Sequence, residues 1–193
     1  WLVSLWVVIC LLKMPSLSFE HGGGDELVYV GLVKQWLETG RYSLQGSGIL
    51  SVLPVEMYDR PLFHHPPLYP ALLALFVGGG FERGCVLISW LGHLLAVSAV
   101  FLEWRRFYAV RGMEGLAWPW WVAVVGIAFD PLMVFASRKL WMDSLLAGLL
   151  ALSVAFFLRF MGGSRRGGAW LAGCGFLVGM CGLLKLHALG VLL

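Results

Sequence analysis

Long apolar runs, nearly free of charge, recur along the whole chain and decide what it can fold into. The clearest are Gly84–Leu102, Ser144–Phe160 and Ala169–Leu184, with shorter ones at Leu116–Phe129 and Trp1–Leu12. In hydrocarbon every backbone amide needs an internal partner, so runs near 20 residues become helices. Composition agrees: 60% of residues are hydrophobic and 13% charged, whereas a soluble domain is about half apolar and about a quarter charged. The expected fold is all-α, a polytopic bundle of transmembrane helices in a multi-pass integral membrane protein. The net charge of +3 is small and no basic stripe interleaves with aromatics, which excludes nucleic acid as a partner. No internal repeat divides residues 1–193, so one transmembrane module is expected. Trp1 and Leu193 both stand inside apolar runs, and we expect a piece of a longer protein with a truncated first span.

Arginines orient the spans. Arg105, Arg106 and Arg111 follow one run; Arg159, Arg165 and Arg166 close another. The positive-inside rule puts both clusters on the cytoplasmic face. They share a face only if Gly84–Leu102 runs inward, the next two spans form a hairpin, and the fifth runs outward. The first span then runs outward too. The short run from Pro67 to Phe76 must enter and leave on the outer side.

The outer face thus receives a long loop, residues 13–83, and a short one around Asp130–Asp143. Two amphipathic surface helices are expected in the long loop, at about 25–39 and 66–77. Asp25 follows Gly22-Gly23-Gly24, where an N-cap belongs. Val28, Leu32, Val33, Trp36 and Leu37 make one apolar stripe, and Gly40 ends the helix as its C′ residue. Such a helix is expected to lie flat on the membrane with Trp36 at headgroup level. The second segment opens with FHHPPLYP, Phe63 to Pro70. Its prolines suit a first helical turn, where amide hydrogens are spare. The remaining amides favour an anion, and a preceding histidine adds a donor or a charge toward phosphate.

On this topology Asp25, Glu26, His64, His65, Arg138, Lys139, Asp143, Lys185 and His187 all face one membrane surface. Carboxylates and cations beside oil suit a substrate with a charged head and a lipid tail. Glycosyl transfer from a polyprenyl phosphate has those demands. Its phosphate leaving group needs cations, its hydroxyl acceptor needs a general base, and a carboxylate can stabilise oxocarbenium character.

The ordered segments GGGDELVY, LETGRYS, FHHPPLYPALLALF, ASRKLWMDSLLAGLLAL and GFLVGMCGLLKLHAL resemble the GT-C superfamily of membrane glycosyltransferases. The protein O-mannosyltransferases and the bacterial aminoarabinose lipid A transferases are the nearest likeness, over nearly the whole chain as the amino-terminal part of a longer enzyme. The resemblance implies an inverting transferase that moves a sugar from a polyprenyl-phosphate donor to a hydroxyl on a protein, lipid or glycan. It implies an extracytoplasmic site, in a bacterial inner or plasma membrane. Asp25 matches the catalytic carboxylate, with Glu26 beside it as a second candidate. His65 before Pro-Pro, Arg138 and Lys185 match phosphate-contacting positions, and Asp143 matches a second acid. No cofactor or metal is implied. Val28 replaces an arginine frequent in the lipid A enzymes, and HPPLYP lacks the Gly-Lys that follows HPPL in eukaryotic mannosyltransferases.

Plainer readings stand beside these. Asp25 reads also as a helix cap, Glu26 as a solvated first-turn acid favoured by the helix dipole, and His64 as an interfacial polar residue. Lys139 reads as a snorkelling anchor. His93, inside the second span, reads as a neutral group bonded to a neighbouring helix. A metal site would draw on His21, Asp25, Glu26, His64 or His65, without a recognised ligand spacing. Cys10, Cys85, Cys174 and Cys181 read as small buried hydrophobes. The rival functions are a transporter or flippase, and a non-catalytic assembly subunit; the fragment alone is a candidate for inactivity.

Overall fold

The computed structural model describes residues 2–14, 25–44, 66–76, 81–111, 118–139, 141–163 and 165–185. Every regular element within them is a helix: α1 (Leu2–Lys13), α2 (Asp25–Thr39), α3 (Leu68–Ala74), α4 (Phe81–Arg111), α5 (Trp118–Ala128), α6 (Pro131–Ser137), α7 (Met142–Met161) and α8 (Gly167–Leu184). Among the described residues three helices are long and apolar enough to cross a bilayer, namely Val86–Val110 within α4, α7 and α8. The expected all-α membrane bundle is the fold observed.

The helix α4 outruns its apolar stretch. At 31 residues it extends about 46 Å, well beyond a hydrocarbon core of about 30 Å. The segment expected as a cytoplasmic loop after Leu102 is helical as far as Arg111. Glu103 and Arg106, one turn apart, pair at 3.5 Å and support that extension.

Helices α4 and α7 run parallel and touch along their length. Ser144 Oγ donates to the Ser89 carbonyl at 2.6 Å, and Arg159 Nε donates to Glu103 Oε1 at 2.7 Å further along. Small residues allow this approach. A Cβ on Gly148 would collide with the Gly92 carbonyl, and one on Gly92 with the Leu145 backbone. Helix α8 returns antiparallel to α7, with Phe156 against Trp170 at one end and Asp143 against Lys185 at the other. Helix α1 is antiparallel to α4: Trp6 Nε1 donates to Ser98 Oγ at 3.0 Å, while Lys13 reaches His93. These directions gather Arg105, Arg106, Arg159, Arg165 and Arg166 at one end of the bundle. They set Lys13, Arg138, Asp143 and Lys185 at the other, as the charge pattern requires.

The third expected span differs. Helix α5 has only 11 residues and ends before Asp130, whose side chain accepts from Met133 N at 2.8 Å and caps α6. Pro131 therefore starts a new short helix just beyond the expected span. Aspartate at N-cap followed by proline at N1 is a strong start signal. His93 is touched from both sides of this break, by Ile127 before it and by Ser137 after it. Helix α6 thus returns to His93 and does not prolong α5.

The loop helices dock on protein. Helix α2 keeps its expected bounds, and Gly40 closes it at φ 72° with its amide on the Trp36 carbonyl at 2.9 Å. Tyr29 and Val33 join the main core with Tyr69 and Leu73 of α3, while Val28 and Leu32 pack on Leu44. The stripe expected to face lipid is largely used against α3 and residues 42–44; Leu37 alone among its five residues stays more than half exposed, at 53%. Helix α3 is shorter than expected. Pro67 caps it in αR conformation, and the Ala71 amide bonds to the Pro67 carbonyl at 2.9 Å.

Candidate functional site

A chain of contacts brings α2 to the polar end of the bundle. The rings of Tyr29 and Tyr69 meet edge to face, centroids 4.9 Å apart. Tyr69 Oη lies 3.4 Å from Ser89 Oγ, and Ser89 Oγ donates to the Trp141 carbonyl at 3.1 Å. Trp141 stands between Arg138 and Asp143 in sequence, and its ring packs on Phe135 of α6 at 5.3 Å. The helix that starts at Asp25 is thereby tied, one turn past that residue, to the segment holding Arg138 and Asp143.

At that same end Lys185 and Asp143 form an ion pair, Nζ to Oδ1 at 2.9 Å. Lys185 caps α8, whose last turn it closes through its amide on the Cys181 carbonyl at 2.9 Å. Asp143 sits in the first turn of α7, where the helix dipole favours an acid. Both side chains remain open to the outside, at 37% and 47% exposure. A charged pair of this kind can meet an anion with the lysine while the carboxylate fixes the ammonium in place. Arg138 caps α6 and is half-buried.

The two carboxylates of the long loop diverge from expectation. Asp25 is the first residue of α2. Glu26 is 2% exposed and takes part in an interaction, so it is not a solvated first-turn acid. Position N2 on a helix packed against α3 turns it inward. His64 and His65 lie outside the described residues, as do His21 and His187, and with them most of the residues a metal site would draw on. Among the described residues no cluster of three or more metal-ligating side chains forms. Near α2, burial pushes the Tyr42 phenol up from its ordinary value and keeps it neutral; its ring packs on Trp36 at 5.6 Å.

Lys13 is the residue that sequence reasoning missed. It is 1% exposed, and its Nζ lies 2.6 Å from His93 Nδ1. His93 Nε2 lies 3.1 Å from the Ile127 carbonyl. A carbonyl only accepts, so Nε2 carries the proton and Nδ1 accepts from Lys13 Nζ. The Ile127 carbonyl needs this bond because its helical partner would be the amide of Pro131, which has none. A long 3.4 Å contact from the Asp130 amide is its other donor. His93 is bonded to a neighbouring helix as expected, and it also holds the end of α1.

No family model matches the chain, and no curated protein matches it. Solved structures do. The fold resembles that of ArnT. The crystal structure of ArnT from Cupriavidus metallidurans in the apo state aligns at TM-score 0.70 and 21% identity, over 96% of this chain and 33% of ArnT. The crystal structure of the same protein bound to undecaprenyl phosphate aligns at TM-score 0.68 and 21% identity, over 99% of this chain and 34% of ArnT. The chain spans about a third of ArnT. The likeness to these structures is one of fold.

Proposed function

We propose that the chain is the donor-binding part of a GT-C-type glycosyltransferase. It takes a sugar linked to a polyprenyl phosphate and passes it to a hydroxyl on a protein, lipid or glycan, on the extracytoplasmic face and with inversion. The single observation that carries this reading is the Lys185–Asp143 pair at the bundle end where α2 docks. It supplies a cation for the leaving phosphate beside an acid. The ArnT likeness supports the same reading, since one of those structures holds undecaprenyl phosphate.

In this reading Asp25 takes the acceptor proton, and Lys185, Arg138 and His65 neutralise the phosphate as the glycosidic bond breaks. Asp143 holds Lys185. Glu26, buried in the first turn of the same helix, is the second candidate for that base. A transport function finds its one foothold in the break between α5 and α6, since transporters place broken helices at their sites. Here His93 and Asp130 satisfy the backbone at that break, which suits a scaffold.

The test uses the full-length protein in membrane vesicles, with a radiolabelled polyprenyl-phosphate sugar. Asp25→Asn is expected to abolish transfer while donor binding persists. Transfer by that variant at the wild-type rate, or uptake of a solute without any transfer, overturns the proposal.

A further inference from the structure

Toward the arginine-rich end, α4 and α7 together line an open apolar groove of about 450 Å³. Its shape follows from residue size. Ala99, Ala151 and Ala155 form the floor, and Trp104, Phe107 and Leu158 stand along the rims. Ala99 and Ala155 are buried, while Phe107 and Leu158 are 42% and 49% exposed. The groove continues into a second recess of about 310 Å³, bounded by Glu103, Arg106, Phe107, Val110 and Leu158. The apolar trough therefore ends at a guanidinium.

We propose that this groove binds an anionic phospholipid of the cytoplasmic leaflet, one acyl chain along the alanine floor and the phosphate at Arg106. The charges at the mouth are unequal. Glu103 faces two guanidiniums, Arg159 at 2.7 Å and Arg106 at 3.5 Å, which leaves one positive charge in excess. Arg159 is held by that short bond and by the Trp170 ring, 4.8 Å from its guanidinium carbon. Arg106 has the longer, weaker contact, and its side chain is 35% exposed. Depth agrees. Trp104, exposed and stacked among Phe107 and Tyr108, marks the headgroup level in the way of interfacial aromatics. Below it the groove is at acyl-chain depth. Basic pockets between helices on the cytoplasmic side are where anionic headgroups bind.

The test is independent of sugar transfer. The full-length protein is reconstituted in nanodiscs of equal phosphatidylglycerol and phosphatidylcholine, and retained lipids are counted by native mass spectrometry. Phosphatidylglycerol is expected to be retained preferentially. Arg106→Gln should cut that preference about fivefold, whereas Arg165→Gln, at the same end of the bundle, should leave it unchanged. Ala151→Phe should abolish retention of either lipid by filling the trough. A benzophenone side chain in place of Val154, on the groove wall, should crosslink to lipid. Equal retention of both lipids, an Arg165→Gln loss as large as that of Arg106→Gln, or crosslinking of position 154 to protein would overturn the proposal.

Discussion

Lys13 and His93, 80 residues apart in sequence, meet side chain to side chain at 2.6 Å inside the bundle. His93 lies about 10 Å along α4 from Val86, so the contact sits below the membrane surface. The imidazole joins three elements: it accepts from α1, donates to the last turn of α5, and lies 3.4 Å from Ser137 at the end of α6. His93→Leu removes the donor to a carbonyl that Pro131 cannot serve. Such a loss costs about 1–3 kcal/mol, and thermal unfolding in detergent should show it. His93→Gln, whose carboxamide can still donate, should lose less. Equal melting of both variants and wild type would rule out this account of the break.

Close approach of α4 and α7 makes a second expectation, with two glycines of opposite behaviour. Gly148 faces the Gly92 backbone, whereas a Cβ on Gly179 of α8 meets nothing within 4 Å. Gly148→Ala should force the helices apart and cost about 1–3 kcal/mol. Gly179→Ala should be neutral or stabilise by about 0.5–1 kcal/mol, because alanine loses less entropy in a helix. Paired melting curves of the two variants check the sign.

The bundle was legible in the sequence because lipid enforces helices on every long apolar run, and because arginines fix which ends lie together. Helix α2 was legible too, through Gly40 and its stripe. Its partner was not, since an apolar stripe reads the same whether it meets lipid or Tyr69. The helical stretch beyond Leu102 was not, because a cluster of charges reads as the end of a span, whereas Glu103 and Arg106 brace a helix. The pair Asp130-Pro131 did carry a start signal, and reading it as an N-cap would have found α6. Nothing local announced Lys13. Its contact depends on how α1 leans on α4, which no periodicity within either helix records. Of the candidate site, the Lys185–Asp143 contact joins two positions singled out from the sequence.

The cap on α6 can be probed directly. Asp130 accepts from Met133 N at 2.8 Å, and removing a capping side chain costs about 1 kcal/mol. Asp130→Ala should lower the melting temperature, while Asp130→Asn, an equally good cap, should restore most of it. Recovery with asparagine separates capping from any need for charge at that position. An asparagine variant as unstable as the alanine one would mean that the carboxylate acts through its charge.

Lys185 and Asp143 offer the sharpest separation of stability from function. An exposed ion pair contributes about 0–1 kcal/mol, and both partners are more than a third exposed. Lys185→Met and Asp143→Asn should therefore melt close to wild type. If the pair meets the donor phosphate, transfer by the full-length protein should nonetheless fall about 10²–10³-fold in Lys185→Met, the scale of losing one preorganised electrostatic contact. Asp143→Asn should fall less, because the lysine keeps its charge and loses only its tether. In the proposed site Lys185 would face the leaving group and not the acceptor, so its loss should appear with every acceptor tried and should weaken binding of the polyprenyl phosphate itself. A Lys185→Met protein that melts normally and binds donor normally would remove this lysine from the phosphate site.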